Sequence, residues 1–186
     1  MYWFKSKLFA AIALLYIIPA VLSGCRSDVK GSGSGMKYFD VSGYFKAETA
    51  RLKNANRPVS KTITHNGVTE TKKVSIENWE QELDSFTGGD INKPAWKNSY
   101  TTATGDGITL YHAIEPGLKV REIIVKKDSD KVKVKWIVIY TKTENILYKN
   151  IEKLSYYPDS LYRIEKSQHV RLMGNNNYTI TGVIER

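Results

Sequence analysis

The sequence predicts an α+β domain: two N-terminal helices and a hairpin packed on an antiparallel meander sheet, or filling a half-barrel, of about six strands. Three observations predict it. Apolar residues recur at helical spacing in two segments between residues 38 and 89. An Asn-Gly pair separates two strand-like runs between those segments. From Ile108 to Ile184, turn residues at short intervals divide a chain rich in β-branched and aromatic side chains. The composition, 41% hydrophobic and 25% charged over 186 residues, is that of a globular chain with enough apolar matter for one core.

Asp40 can cap a first helix running to about Asn54, with Val41, Phe45, Thr49 and Leu52 on one face and Pro58 marking its end. Val59–His65 and Val68–Val74 flank Asn66 and Gly67, a pair that accepts the positive φ angles of a type I′ turn. Ser75 can cap a second helix in which Ile76, Trp79, Leu83 and Phe86 share a stripe, and Gly88 with Gly89 stops it. Its other face holds Glu77, Glu80, Glu82 and Asp84, which read as a solvated face because no His or basic residue is interleaved. After a loop containing Pro94 and Trp96, six strands are expected at about Ile108–Ile114, Leu118–Lys127, Lys131–Tyr140, Ile146–Tyr156, Tyr162–Leu172 and Tyr178–Ile184. Their connections are too short for parallel crossovers, which need a dozen or more residues, so neighbours run antiparallel.

The third of these strands alternates most clearly. Val132, Val134, Trp136, Val138 and Tyr140 form an apolar face with Trp136 toward the core, as Trp79 is in its helix. The opposite face begins with Lys131, Lys133 and Lys135 and ends with Ile137 and Ile139. With Lys126 and Lys127 across the turn, five Lys gather near one end of the sheet. They read either as a charged surface that resists aggregation or as a contact for an anionic headgroup or polysaccharide. The formal net charge is +9, yet no recognition helix, aromatic RNA motif or zinc module accompanies it, so nucleic acid is not an expected partner.

The leader is the most specific signal. Lys5 and Lys7 precede Leu8 to Val21, an uncharged apolar run, and then Leu22, Ser23, Gly24 and Cys25. As a helix the run would span about 21 Å, short of a hydrocarbon core of roughly 30 Å. It reads as a signal peptide, and the alternative to a lipidation signal is an ordinary secretory leader with a chance Cys. Leu22-Ser23-Gly24-Cys25 resembles the lipobox of bacterial lipoprotein precursors. That resemblance implies cleavage before Cys25, acylation of Cys25, and anchoring by several acyl chains in place of a membrane span. Loss of a leader with two Lys and no acidic residue lowers the net charge to +7. Arg26 stands where retention in the inner membrane is associated with Asp. The resemblance therefore points to the outer membrane, with the domain facing the periplasm, since Asp28 alone does not match the acidic stretch of surface-exposed lipoproteins of Bacteroidota. Gly31 to Gly35 alternates Gly and Ser as a flexible linker, giving the twelve residues from Cys25 to Lys37 a reach of roughly 19 Å. Met36 follows it, so a leader joined to a separate start codon is the other origin this segment allows. The chain thus divides into a signal peptide (1–24), a lipidated Cys with its tether (25–37) and one α+β domain (38–186). Within that domain, Asp90–Tyr100 and Leu154–Ile164 look like parts of small lipoproteins of Bacteroidota, which implies no activity.

Chemistry is sparse. One Cys excludes a disulfide framework within the chain, and His65, His112 and His169 fall in separate strand segments without metal-ligand spacing, so no metal or cofactor is expected. Thr104-Gly105-Asp106-Gly107 reads as a turn, since one carboxylate is too few for a calcium loop. Trp96, Tyr156 and Tyr157 lie beside Pro94 and Pro158 and are, with Lys131, Lys133 and Lys135, the residues expected to contact a ligand or partner. Two classes follow. The first is a lipid-anchored, non-enzymatic envelope module that touches membrane lipid through Cys25 and binds an envelope protein or hydrophobic ligand. The second is an envelope hydrolase whose site is assembled only in three dimensions. Cys25→Ser is expected to leave the precursor uncleaved by the lipoprotein peptidase and to free the domain from its anchor. Normal processing and membrane retention of that variant, followed by immunoblot of fractionated cells, would contradict the lipobox reading.

Overall fold

The computed structural model describes residues 36–130 and 132–185. The leader, Cys25 and the tether up to Gly35 lie outside the described residues, as does Lys131. Helix α1 (Val41–Ala55) is followed by strands β1 (Val59–His65) and β2 (Val68–Val74), single turns of helix α2 (Trp79–Glu82) and α3 (Asp84–Thr87), and a 3₁₀ turn (Pro94–Trp96). Seven strands complete the chain: β3 (Tyr100–Gly105), β4 (Ile108–Ala113), β5 (Val120–Lys127), β6 (Val134–Glu144), β7 (Tyr148–Tyr157), β8 (Leu161–Val170) and β9 (Gly174–Ile184). All nine strands form one antiparallel sheet in the order β2-β1-β9-β8-β7-β6-β5-β4-β3. No helix among the described residues is long and apolar enough to cross a membrane.

The sheet is larger than the six strands expected, for two reasons. The hairpin does not pack on the sheet but extends it, β1 pairing with β9 from Val59↔Ile184 to His65↔Tyr178. Residues read as loop form β3, an edge strand whose side chains from Thr101 to Gly105 are exposed, so no apolar alternation betrays it. Asp106 and Gly107 turn into β4 at φ 49° and 72°, the left-handed conformation that Asn66 and Gly67 adopt at 48° and 89°.

Helix α1 follows its sequence. The Asp40 carboxylate accepts from the Gly43 N–H at 2.7 Å, Asn56 closes the other end in the left-handed region, and Val41, Phe45, Glu48, Thr49 and Leu52 are buried. The second helix does not form as one. Asn78, not Ser75, caps it through Gln81 N–H, and it breaks at Leu83 into two turns that still bury Trp79, Leu83 and Phe86. Glu82 is not on a solvated face: three residues after Trp79, its side chain is 16% exposed and meets Tyr162 and Lys61 of the sheet.

Strand β6 also departs from simple alternation. Register shifts between Val120 and Glu122, and between Lys126 and Lys127, leave Arg121 and Lys135 without a cross-strand partner in the β5–β6 ladder. Each bulge reverses which parity faces the helices. Val134 therefore packs against the core together with Ile137 and Ile139, while Trp136, Val138 and Tyr140 turn to the helix-free face. Trp136 is not a core residue, contrary to its spacing.

The core sits between the helices and one face of the sheet, filled with aromatic rings. Phe45 and Phe86 lie 5.0 Å apart, Tyr156 packs edge-on to both at 5.2 and 6.0 Å, and Trp79 meets Tyr162 at 6.2 Å. Burying each such side chain contributes about 1.5–3 kcal/mol. Tyr156 of β7 and Tyr162 of β8 are cross-strand partners, and both are fully buried. Each phenol reaches into the helix layer: Tyr156 Oη donates to Glu48 Oε1 of α1 at 2.5 Å, and Tyr162 Oη donates to Glu82 Oε1 of α2 at 2.5 Å. A cation completes each carboxylate, Arg51 at 2.6 Å from Glu48 and Lys61 at 2.7 Å from Glu82. The ring of Tyr162 lies over Gly182, where a Cβ would come within 2.2 Å of ring carbons, so any larger residue must displace the tyrosine.

Burial, and then the neighbouring carboxylate, pushes the phenols of Tyr156, Tyr162 and Tyr44 far above the ordinary tyrosine range. Burial raises Tyr100 to about 12 and raises Tyr111 as well. A value raised by folding adds stability that is complete below the unfolded value near 10 and is lost as pH climbs through the folded value. Spectrophotometric titration is therefore expected to show phenolate from these five residues only as the near-UV circular dichroism of the fold disappears. Ionisation of all the tyrosines while that signal persists would contradict the packing.

Candidate functional site

One end of the helix–sheet sandwich opens into a groove of about 440 Å³, lined by Phe39, Tyr44, Glu48, Arg51, Lys127, Val132, Lys133, Val134, Pro158 and Asp159. Three local features bring these residues together. The chain entering α1 supplies Phe39 and Tyr44, whose rings meet at 5.7 Å. The bulge of β5–β6 delivers Val134 to the same side as Lys127. The β7–β8 turn presents Pro158 and Asp159, the latter in the left-handed region at φ 57°.

The acids in the groove are spoken for. Arg51 grips Glu48 through Nε and Nη2 at 2.9 and 2.6 Å, and its Nη1 donates to Asp159 at 2.8 Å. Arg57 approaches the same Asp159 oxygen at 3.5 Å. These four charges cancel, and the Arg51 guanidinium is held firmly charged by its hydrogen bonds to Glu48 and Asp159. Lys127 and Lys133 meet no carboxylate within 4.0 Å among the described residues; the Lys127 ammonium instead lies 5.8 Å from the centre of the Phe39 ring. The groove thus offers two cations beside aromatic and aliphatic walls.

The residues singled out from sequence separate. Lys133 lines the groove, and Lys135 reaches Asp128 at 3.1 Å, a contact that, after the Ser129 backbone N–H, holds the Asp128 carboxyl below its usual range. The lysines do not share one face: Lys126 leaves with Trp136 toward the helix-free side, where its ammonium donates to the Asp106 carbonyl. Tyr156 is a core residue and not a surface contact, because its phenol is spent on Glu48. Tyr157, its neighbour on the opposite face, is 38% exposed. Trp96 packs partly against the core, with the Lys93 ammonium 4.3 Å from its ring centre.

Glu48 and Glu82 are what sequence reasoning passed over. A signal existed: each stands three residues after a buried aromatic, Phe45 or Trp79, and so on the apolar stripe of its own helix. The histidines are engaged at the surface, His65 stacked on Tyr178 at 4.1 Å, His112 with Glu122 at 3.0 Å and His169 with Asn175 at 2.7 Å. Among the described residues no three His, Cys, Asp or Glu side chains gather as a metal site.

Past the helices the inner face of the sheet turns polar around Glu152, which accepts from Thr141 Oγ1 at 3.2 Å and Asn150 Nδ2 at 3.0 Å, with Lys166 at 3.5 Å. Burial opposes its charge, but the Asn150 bond, Lys166, the Thr141 bond and Lys119 together keep its carboxyl below the usual range. On the helix-free side, Leu110, Ile124, Val138 and Ser155 succeed one another across β4 to β7, flanked by Trp136 and Tyr140. Compared with known proteins, the chain matches no protein family, no curated protein and no solved structure.

Proposed function

We propose that this chain is a lipid-anchored envelope protein of the α+β class, held at the outer membrane through acyl chains on Cys25 and facing the periplasm. Its domain is a non-enzymatic binding module whose groove takes an anionic amphiphile. The observation that supports the ligand class is the pairing of Lys127 and Lys133, both without a carboxylate partner among the described residues, with the walls made by Phe39, Tyr44, Val132 and Val134. A ligand with an anionic head and an apolar body satisfies both at once. A neutral one leaves the ammonium groups unmatched, and a purely ionic one leaves the rings wet.

Hydrolysis by a carboxylate acid or base at this site would need a glutamate free to move a proton at the substrate. Glu48 and Glu82 each accept from a tyrosine and a cation, and the phenols of Tyr156 and Tyr162 are held in those pairs. This arrangement favours binding over hydrolysis. Placement at the bilayer is consistent with such a ligand, since the tether limits the domain to a short reach from its anchor.

The test is native purification of the full chain in mild detergent, followed by mass spectrometry of co-eluting lipids. Wild type is expected to retain anionic lipid, and Lys127→Gln with Lys133→Gln to retain about tenfold less, two weak ionic contacts being removed. Equal recovery by both, or recovery of zwitterionic and anionic lipid in the proportions of the extract, would contradict this reading.

A further inference from the structure

Among the described residues strand β2 is an open edge of the sheet, with Val68 76% exposed and the Glu70 and Lys72 side chains 67% and 71% exposed. We propose that its partner is a second copy of this chain, β2 pairing antiparallel with β2 of the copy about a two-fold axis through Thr71.

The hairpin decides which groups are available. A two-residue Asn66-Gly67 turn makes His65 and Val68 a hydrogen-bonded pair, and pairs then alternate along the ladder between hydrogen-bonded and non-hydrogen-bonded. Thr69, Thr71 and Lys73 consequently direct their N–H and C=O groups away from β1, toward the open edge. The hydroxyl contacts Thr64–Thr69 and Thr62–Thr71, both 2.9 Å, fall at the positions where side chains of opposed strands stand closest. Centring the two strands on Thr71 makes Thr71 its own partner and sets Thr69 against Lys73 of the copy. All of the free edge groups in this stretch are then used, in about six hydrogen bonds.

The side chains match in the same register. On the helix-side face the edge reads Val68, Glu70, Lys72, Val74, and reversal turns this into apolar, base, acid, apolar. Glu70 therefore falls opposite Lys72 of the copy, twice by symmetry, and Val68 opposite Val74. Within one chain Glu70 and Lys72 already meet at 2.6 Å, so the pairing closes four alternating charges into a ring. Centring on Glu70 would set Glu70 against itself, and centring on Lys72 would set Lys72 against itself; both oppose like charges. Lysine on an edge ordinarily blocks association, but here the acid that answers it stands at the symmetry-related position. The other edge, β3, has no charged residue. Joining β2 to β3 of the copy would leave Glu70 and Lys72 unanswered and would propagate as a filament, whereas β2 to β2 closes after two chains.

A strand pair alone is a small interface, so dimer is expected at roughly ten micromolar and above. The experiment uses the full chain in detergent, with mass by sedimentation velocity. Wild type is expected to dimerise, Glu70→Lys and Lys72→Glu each to dimerise about tenfold more weakly, and their equimolar mixture to regain wild-type association, because each then faces its opposite charge. Recovery on mixing also establishes that both variants fold. Thr71→Cys is expected to form an interchain disulfide beyond that of the parent chain, since partners in such a pair have Cα atoms about 5.5 Å apart. Thr69→Cys is not, because its symmetry mate lies about 13 Å away along the strands. A monomer at all concentrations, single variants that associate like wild type, a mixture without recovery, filaments, or equal crosslinking at positions 69 and 71 would each overturn the proposal.

Discussion

Two phenols hold the helices to the sheet. Tyr156 and Tyr162 face each other across β7 and β8, at the centre of the nine strands, and each sends its hydroxyl to a glutamate from a different helical segment. A hydrogen bond to a charged group contributes about 1.5–3 kcal/mol, and losing one partner of a buried pair removes more, since the remaining charge is left without compensation. The consequences spread outward. Glu48 needs Arg51, Arg51 reaches Asp159, and Asp159 sits in the β7–β8 turn, so one buried carboxylate organises the wall of the groove. On the other side Glu82 takes Lys61 from β1, tying the added hairpin to the helix layer. Gly182 makes room for the second ring.

How much of this was legible depends on where each signal was written. The Asn66-Gly67 hairpin, the capped helix α1 and the six strands from β4 to β9 announce themselves through turn chemistry and periodicity, with ends displaced by a few residues. Strand β3 did not, because an exposed edge needs no apolar alternation and its threonines read equally well as loop. Spacing alone predicts one second helix where two turns form: the apolar stripe is kept, but Asn78 caps it later and Leu83 breaks it. Trp136 faces away from the helices, against its spacing, because a bulge at Lys135 is invisible to a period-two count. The paired charges of the candidate site were hidden for a related reason. Glu48 and Glu82 look like ordinary polar positions until the tyrosines beneath them are placed, and those tyrosines come from strands more than seventy residues away.

The groove follows from the same constraint. Because Glu48 and Asp159 are balanced by Arg51 and Arg57, the charge that remains at its mouth is that of Lys127 and Lys133, delivered beside Phe39 and Val134 by the bulged end of β5 and β6. A surface built this way is selective for sign without committing an acid or base to chemistry. Tethered near a bilayer by Cys25, as proposed, such a module would meet anionic amphiphiles at high local concentration, while its free edge remains available to a second copy.

The central claim is that the Tyr156–Glu48 bond joins the layers, and a double-mutant cycle tests it most directly. Urea unfolding of wild type, Tyr156→Phe, Glu48→Gln and the double variant is predicted to give a coupling energy of about 1–3 kcal/mol. Effects of the two substitutions that simply add would contradict it, and would mean that ring packing alone holds α1 to the sheet.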